Sequence, residues 1–334
     1  MPEITYREAV KQALREEMRN DERVFMLGED IAEFGGTFKV SLGLLEEFGP
    51  KRIRNSPLSE TAILGAAVGA AATGLRPIAE IMYSDFFGVC IDQVVNQAAK
   101  MRFMFGGKIS MPLTIRSTMG GRRSAAAQHS QCLEAWFMHI PGLKVALPSN
   151  AYEAKGLLKT AVRDPNPTII LENKMLYNAK GEVPEEEYFI PWGQARIVRE
   201  AMINGSEKRM VTVVALSDMV DFALKAADRL AEQGISLEVI DPRTLAPLDI
   251  DTLVRSVQKT GRLVVAHEAC ITGGVGAEIA AQVSYRAFDY LAAPIERVGA
   301  KDSPIPFSPV LEREVLPDDE DIVEAVYRIL DYAA

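Results

Sequence analysis

Apolar runs that alternate with helical segments restrict the fold of this 334-residue sequence more than any other feature. Such runs are typical of strands in a parallel sheet that helices cover on both faces. In the first half, Thr5 with Glu8 has the spacing of a capping box, and Asn150 with Glu153 is expected to cap another helix. The strands predicted there are RVFMLGED, RPIAEIMY, PLTIRS, LKVALPS and PTIILEN. The sequence therefore predicts an α/β fold with parallel sheets.

The alternation is interrupted once, at NAKGEVPEEEYFIPWG, which is rich in Glu, Pro and Gly and is typical of a linker. A second series follows, with strands RMVTVVAL, ISLEVID, GRLVVAHE and APIERVG and helices over about 218–233, 250–259, 276–290 and 319–332. We therefore expect a first domain over residues 1–177, a linker over 178–195 and a smaller α/β domain over 196–334.

Composition argues against several classes of function. The 37 Lys and Arg residues against 46 Asp and Glu residues give a net charge of −9, and no dense basic run favours nucleic-acid binding. The Ala- and Gly-rich helix has about 15 residues, too few to span a membrane. The N-terminus lacks the pattern of a signal or transit peptide. Cys90, Cys132 and Cys270 lack CxxC spacing and indicate reduced thiols. A cytoplasmic location is expected, or an organelle matrix after processing in a eukaryote.

One ionisable side chain, Glu60, stands in the apolar stretch SPLSETAILGAAVGAAATGL. Ser59 is the expected N-cap, which places Glu60 in the first turn of a helix. An exposed carboxylate there would only stabilise the helix dipole. The helix shows no polar face, however, and we expect it to be buried all round. A buried carboxyl with a raised pKa is typical of a functional site.

His129 is the second candidate. It lies in AAQHSQ, at a loop-to-helix junction that follows the Gly- and Arg-rich stretch RSTMGGRRSAA. The histidine is either a satisfied structural group or, given its polar neighbours, a ligand-facing one. The sequence has no GxxxxGK, GxGxxG or GxSxG motif that would favour another chemistry. The stretch GGVGAEIA could hold an anion, but a helix-packing turn is the simpler interpretation.

Several blocks in order resemble one family. They are LGED, SPLSET, GAAVGAAATGLRPIAEIM, IDQVVNQAAK, AAQHSQ, IPGLKVALPS, AKGLLKTAVRDPNPTIILEN, GGVGAEIAA and IPFSPVLE. The chain resembles the β subunit of the thiamine-diphosphate-dependent, decarboxylating first component of 2-oxo acid dehydrogenase complexes, closest to the pyruvate and acetoin types. The resemblance implies a transketolase-like pyrimidine-binding domain followed by a transketolase C-terminal domain.

The resemblance also implies roles for individual residues. Glu60 matches the glutamate that hydrogen-bonds a ring nitrogen of the cofactor's aminopyrimidine, and Phe86 matches the aromatic ring that stacks on it. Glu29, Leu58 and Met82 match other positions of that pocket. His129 matches an active-site histidine that contacts the substrate carboxylate or the acyl intermediate and assists transfer to a lipoyl group.

A potassium site is the other implied feature. Asp164 and Asn166 in RDPNP match it, and backbone carbonyls near Leu113, Thr114 and Ala161 would complete it. Oxygen ligands suit a hard cation. The alternative interpretation is an Asx-rich turn between a helix and a strand.

The sequence lacks the family's GDG motif for magnesium and diphosphate. We therefore expect an α subunit to hold the magnesium in an α2β2 heterotetramer that serves a lipoyl acyltransferase core and acts on a small 2-oxo acid or acetoin. Two alternatives stay open: a branched-chain 2-oxo acid dehydrogenase β subunit and a mainly non-catalytic docking subunit. The blocks AAQHSQ and RDPNP argue against a third, half of a split transketolase. Ser217 and the arginines of TMGGRRS depart from the family pattern.

Overall fold

The computed structural model describes residues 1–202 and 209–332. The chain divides into two compact units, one formed by Met1–Met119 and Trp136–Trp192, the other by Gly120–Ala135 and Gly193–Ala334. Each unit has a sheet with helices around it. In the described ranges, no helix combines the length and the apolar character needed to cross a membrane.

The first unit has a parallel sheet, as predicted. Its strands run in the order β6-β7-β5-β4-β2-β3, each parallel to its neighbour. The strands of this unit are β1 (Glu3–Thr5), β2 (Val24–Glu29), β3 (Ile53–Ser56), β4 (Arg76–Ile81), β5 (Thr114–Met119), β6 (Lys144–Ala146), β7 (Thr168–Asn173) and β8 (Lys180–Glu182). Every residue of β5 and β7 is buried, as expected for central strands of a parallel sheet that is covered on both faces.

The helices named along this part of the chain are α1 (Tyr6–Asn20), α2 (Leu44–Phe48), α3 (Glu60–Ala72), α4 (Phe87–Asp92), α5 (Ala99–Met104), α6 (Glu134–Met138) and α7 (Ala151–Arg163). Both predicted caps are present. The Thr5 hydroxyl accepts from the Glu8 amide at 3.2 Å, and the side-chain Oδ1 of Asn150 accepts from the Glu153 amide at 3.0 Å. The apolar faces of α1 and α7 pack together in one core.

Ser59 occupies the N-cap position of α3, as predicted, although its side chain makes no capping hydrogen bond. The expectation that the helix is buried all round is wrong. One face is buried, and the opposite face is exposed in this chain and consists of Thr61, Ala62, Gly65, Ala66 and Gly69. Small side chains have little apolar area to remove from water, so the pattern of apolar letters overstated the burial.

The helical region that follows β4 is interrupted. Cys90 has non-helical angles inside α4, and residues Gln93–Ala98 between α4 and α5 form a π-helix. Gly106 and Gly107, with positive φ, end the helical region. Isolated π-helical turns occur frequently near functional sites.

Most of the expected linker packs on the first unit. Residues Lys180–Glu182 pair antiparallel with Glu3–Thr5, and Val183 and Ile190 belong to the first core. The first unit therefore extends to Trp192. A short strand pair and two buried apolar side chains are too small a signal to stand out in a Glu-, Pro- and Gly-rich stretch.

The second unit has its own sheet. Among the described residues its order is β14-β13-β10-β11-β9, parallel except for β9 against β11. The strands are β9 (Arg196–Arg199), β10 (Met210–Ala215), β11 (Ser236–Asp241), β12 (Thr244–Ala246), β13 (Leu263–Cys270) and β14 (Glu296–Ala300). The helices are α8 (Met219–Ala231), α9 (Ile250–Thr260), α10 (Val275–Ala287), α11 (Pro309–Val315) and α12 (Asp319–Leu330). The four predicted strands and four predicted helices are present, and α11 is an addition.

Ser217 has a left-handed backbone, with φ of 55°. Glycine adopts this conformation without strain, whereas serine does not. The departure from the family pattern at this turn therefore places a residue with a side chain where the backbone favours glycine.

Candidate active site

The topology of the first unit brings five predicted residues to one edge of its sheet. Strands β4, β2 and β3 are neighbours and parallel, so their carboxyl ends meet there. Glu29 ends β2, Leu58 and Glu60 follow β3, and Met82 and Phe86 follow β4. The carboxyl edge of such a sheet is where α/β proteins bind ligands.

Glu60 is buried, as predicted, with 6% of its surface exposed. It is the first residue of α3, where the helix dipole favours a negative charge. Burial, then the negative charge of Glu60, raise the pKa of Glu29. Burial, together with the charge of Glu60, also raises the pKa of the Cys90 thiol to about 12. Glu60 therefore acts electrostatically on an acid and on a thiol, and its charge disfavours the ionised form of each.

The charge of Glu60 thus makes the neighbouring Glu29 carboxyl a weaker acid than an isolated glutamate. Such an arrangement suits transfer of a proton to or from a basic ring nitrogen. The burial of Glu60 argues against the interpretation that it is an exposed carboxylate with only a helix-dipole role.

Phe86 closes a one-turn 3₁₀ helix, Ser84–Phe86, directly after β4. Its ring meets the ring of Tyr83 edge to face, with centroids 5.5 Å apart. The Met82 carbonyl accepts a hydrogen bond from the Thr118 hydroxyl at 2.5 Å, which ties this turn to β5. Leu58 is 73% exposed. The site thus combines a buried acid, an anchored aromatic ring and an exposed apolar side chain.

His129 belongs to the other unit. It lies in a turn of the stretch Gly120–Ala135, and its amide donates to the Ala126 carbonyl at 3.4 Å. The junction is looser than predicted, because α6 begins only at Glu134. His129 is partly buried, and its neighbour Ser130 is buried.

A cavity of about 570 Å³ lies in the second unit beside this stretch, and Ala127 and Ser130 are among its lining residues. Cys132, Glu268 and Cys270 also line it. Burial raises the pKa of the nearby Glu134 to about 7, with a smaller contribution from the charge of Glu268. The cavity is therefore lined by thiol and carboxyl groups rather than by a cationic anion-binding set.

A larger cleft of about 840 Å³ is lined mainly by charged residues of α1 and α7. These charges pair with one another: Lys159 contacts Glu16 at 2.5 Å, and Arg163 contacts Glu17 at 2.8 Å. None of the predicted site residues lines this cleft. We interpret it as a structural ion-pair network.

The side chains predicted for the potassium site are engaged with cationic side chains. Asp164 accepts from the Lys144 ammonium at 2.5 Å and from the Asn166 amide groups at 2.9 Å. The Asn166 side-chain oxygen accepts from Arg102 at 2.5 Å. A potassium ion here would therefore depend on backbone carbonyl oxygens.

The other predicted ligands lie at the start of β5, for Leu113 and Thr114, and near the end of α7, for Ala161. The Leu113 carbonyl accepts from the Thr168 amide at 2.9 Å, and Thr168 also contacts the Thr114 hydroxyl. The Ala161 carbonyl accepts from the Asp164 amide at 3.1 Å. Each carbonyl oxygen has a second lone pair that a cation could use.

The sequence analysis missed a buried ion network that joins neighbouring strands of the sheet. Arg116 in β5 donates two bonds of 2.8 Å to Glu172 in β7 and one of 2.7 Å to Glu80 in β4. Tyr177 adds a bond of 2.7 Å to Glu172. The single arginine in the apolar strand PLTIRS was the available signal, because a buried arginine requires carboxylate partners.

Comparison with known proteins identifies the architecture. Residues 2–180 match the model of the transketolase pyrimidine-binding domain, and residues 200–322 match that of the transketolase C-terminal domain. A solved structure of a split gene transketolase, described as an inactive β4 tetramer, has a TM-score of 0.80 and 25% identity, and the match covers 98% of both chains.

Two relatives are much closer in sequence. The β subunit of acetoin:2,6-dichlorophenolindophenol oxidoreductase from Bacillus subtilis (strain 168) is 47% identical, with 98% of this chain and 97% of the relative covered. The pyruvate dehydrogenase E1 component β subunit from Rickettsia felis is 48% identical, with 99% of both covered. The chain belongs to the family of dehydrogenase E1 β subunits. This E1 β family chain has the predicted transketolase-like fold, and its family is thiamine-diphosphate dependent.

The pocket residues of this E1 β chain fit the pyrimidine part of that cofactor. Glu60 is a buried acid that suits a ring nitrogen, and Phe86 is an aromatic ring held by Tyr83 that suits stacking. In residues 1–202 and 209–332, no group of three or more His, Cys, Asp and Glu side chains could hold a metal ion.

Proposed function

We propose that this chain is the β subunit of a pyruvate- or acetoin-type dehydrogenase first component and forms the pyrimidine side of an active site shared with an α subunit. The observation that carries the proposal is the buried carboxyl of Glu60, beside Glu29, at the carboxyl edge of β4, β2 and β3.

Thiamine diphosphate, when bound, supplies the carbanion chemistry for decarboxylating a 2-oxo acid or cleaving acetoin. Glu60 would hold or release one proton at a pyrimidine ring nitrogen, and its burial keeps water from competing for that proton. Phe86 would stack on the ring, and Glu29, Leu58 and Met82 would line the pocket. His129 would contact the substrate carboxylate or the acyl group and assist its transfer to a lipoyl group.

The α subunit in this proposal holds the diphosphate and magnesium, because the sequence lacks the GDG motif and has a net charge of −9. Two features of the first unit support a covering partner: the exposed Leu58 beside the buried Glu60, and the exposed small-residue face of α3. The split gene transketolase relative is described as inactive as a β4 tetramer, which is the behaviour we propose for this chain without its α subunit.

Docking to a lipoyl acyltransferase core is the second partnership in the proposal. Large apolar side chains are exposed on the second unit, including Tyr285 at 90%, Phe288 and Phe307. Exposed apolar surface of this kind is typical of a protein interaction site. The proposal also keeps the predicted potassium site and the predicted cytoplasmic location.

The decisive variant is Glu60→Gln, which keeps the shape and removes the acid. In enzyme reconstituted with an α subunit, we expect cofactor affinity within about tenfold of wild type and turnover lower by a factor on the order of 10². Glu46→Gln, an exposed acid on α2, is the matched control and should have wild-type turnover. Near-normal turnover of Glu60→Gln would contradict the proton-holding role.

The substrate is tested by steady-state rates of the reconstituted enzyme with pyruvate, acetoin and 3-methyl-2-oxobutanoate. We expect pyruvate or acetoin to give the highest kcat/KM. A clear preference for 3-methyl-2-oxobutanoate would instead support the branched-chain alternative.

A further inference from the structure

The stretch of residues 120–131, here called the His129 segment, has an unusual backbone. Three of its non-glycine residues have left-handed angles, Arg122 with φ of 64°, Ser124 with 50° and Ala126 with 61°. L-residues adopt this region only at a cost in free energy, and a run of them persists only where contacts over-determine the conformation. Contacts outside the segment must therefore hold it.

Two buried carboxylates hold its backbone. The Gly121 amide donates to Glu268 Oε1 at 2.5 Å, and the Ser124 amide donates to Glu312 Oε2 at 3.0 Å. Glu268 lies on β13 and Glu312 on α11, and both are buried. A Cβ on Gly121 would lie 2.6 Å from Leu316 Cδ1, so the backbone approaches this wall closely.

Arg122, which lies between Gly121 and Ser124 in the chain, adds three side-chain contacts. Its guanidinium donates to the Pro317 carbonyl, lies over the Phe222 ring at 4.5 Å and approaches Asp218 Oδ2 at 3.5 Å. The planar guanidinium is suited to donating and stacking at once, which a lysine ammonium does less well. Because these contacts engage the Arg122 side chain, it acts on the fold of the segment rather than as a substrate ligand.

The local charges make Arg122 necessary. Burial and the negative charge of Glu268 raise the pKa of Asp218 well above its ordinary value, and Arg122 opposes this effect. Without the guanidinium, the buried acids Asp218, Glu268 and Glu312 would lose a compensating positive charge. Release of the segment would then relieve both the repulsion and the backbone strain.

We infer that Arg122, with Glu268 and Glu312, fixes the His129 segment and thereby positions His129 for catalysis. The link is short, because the His129 amide bonds the carbonyl of Ala126, the last of the three left-handed residues. Arg122 is thus a positioning residue that acts through His129. This inference rests on the proposed function, in which His129 contacts the substrate or acyl group.

The first test measures hydrogen–deuterium exchange of the full chain. In Arg122→Met, the amides of Gly121 and Ser124 should exchange at least tenfold faster than in wild type. The matched control is Arg123→Met, which alters the exposed neighbouring arginine and should leave those amides unchanged. Unchanged exchange in Arg122→Met would overturn the inference.

A second pair of variants keeps the test valid if Arg122→Met does not fold. Glu312→Met removes the acceptor and should speed exchange at Ser124 at least tenfold. Glu312→Gln retains an acceptor oxygen and should restore protection. Equal exchange at Ser124 in both variants would show that the Glu312 carboxyl does not hold the His129 segment.

The catalytic part is tested by a double-mutant cycle in the reconstituted enzyme. Arg122→Met should lower kcat at least tenfold with KM changed less than threefold, and it should have no further effect in a His129→Ala background. Independent losses that multiply would overturn the positioning role while the proposed function stands. Wild-type activity of His129→Ala would instead refute the role proposed for His129, and the positioning role with it. The exchange measurements would still report whether Arg122, Glu268 and Glu312 hold the His129 segment.

Discussion

His267 is fully buried on β13, and its imidazole lies against the backbone of three glycines. A Cβ would lie 2.6 Å from the ring at Gly274, 2.8 Å at Gly276 and 3.1 Å at Gly299. Nδ1 lies 3.1 Å from the Ala269 carbonyl. Burial lowers the pKa of His267 from 6.5 to about 4, so the neutral ring is the folded form at neutral pH. The glycines of GGVGAEIA therefore allow close helix packing, which favours the simpler interpretation of that motif.

This side chain should make stability depend on pH. Between pH 6.5 and 4 the unfolded chain protonates His267 and the folded chain does not, so the free energy of unfolding falls as pH falls through this window. The shift corresponds to about 3 kcal/mol. The free energy of unfolding of wild type should exceed that of His267→Gln by less at pH 4.5 than at pH 7. Urea unfolding should show that this difference falls by up to about 3 kcal/mol. Parallel pH profiles of the two proteins would contradict this prediction.

A substitution of Asp164 can distinguish its role in the turn from a role as a cation ligand. Asp164→Ala removes the acceptor for Lys144 and for both Asn166 amides, so the melting temperature should fall in any buffer. If the proposed potassium site exists, the fall should be larger in potassium than in tetramethylammonium buffer, because a bound ion stabilises only the folded state. Equal shifts in the two buffers would leave Asp164 with its turn role alone. Asp164→Asn, which keeps an acceptor for Asn166, is the control.

At the scale of elements, the turn between α6 and β6 is fixed by one glycine. Gly142 has φ of 105°, and a Cβ there would lie 2.1 Å from the Ala99 carbonyl oxygen, at the start of α5. Backbone atoms of a helix cannot move aside easily. The turn and the helix therefore meet at a distance that only glycine permits.

Gly142→Ala should accordingly destabilise the chain by about 4 kcal/mol or more. Gly74→Ala is the control, since Gly74 also has positive φ, 98°, but no atom within 4 Å of the added Cβ. That change should cost only about 1–2 kcal/mol, the price of the backbone conformation. Thermal melts of both variants check the prediction, and losses of equal size would show that the contact with Ala99 is unimportant.

At the scale of the whole molecule, the proposal requires that the chain alone binds thiamine diphosphate weakly and is inactive. Glu60 offers one hydrogen-bonding acid and Phe86 one stacking ring, and stacking of aromatic pairs adds about 0.5–1.5 kcal/mol beyond area burial. Micromolar affinity needs about −8 kcal/mol. The diphosphate needs magnesium and fixed donors, which we assign to the α subunit.

Calorimetric titration of the isolated chain with thiamine diphosphate and magnesium checks this prediction, with the reconstituted α and β subunits as the control. We expect tight binding only in the reconstituted sample. Micromolar binding of one cofactor per isolated chain would mean that the diphosphate site lies within this sequence, and the shared site would be wrong.

Local signals in the sequence were sufficient for the fold class, most strand positions and the caps at Thr5 and Asn150. Each depends on residues close together in the chain, through apolar runs or the i to i+3 spacing of a cap. The family blocks were likewise local and pointed to the pocket residues Glu29, Glu60 and Phe86. Their collection at one sheet edge follows from the parallel order of β4, β2 and β3.

Only the tertiary structure decided the features that depend on distant partners. The exposed face of α3 is set by which side packs on the sheet. The sequence does not distinguish the two faces, because small apolar residues occur on both. Arg116 is buried because Glu80 and Glu172 reach it from neighbouring strands. The His129 segment packs with the second unit because Glu268 and Glu312, far along the chain, accept its amides. Sequence patterns report neighbours along the chain, whereas these contacts are set by the fold.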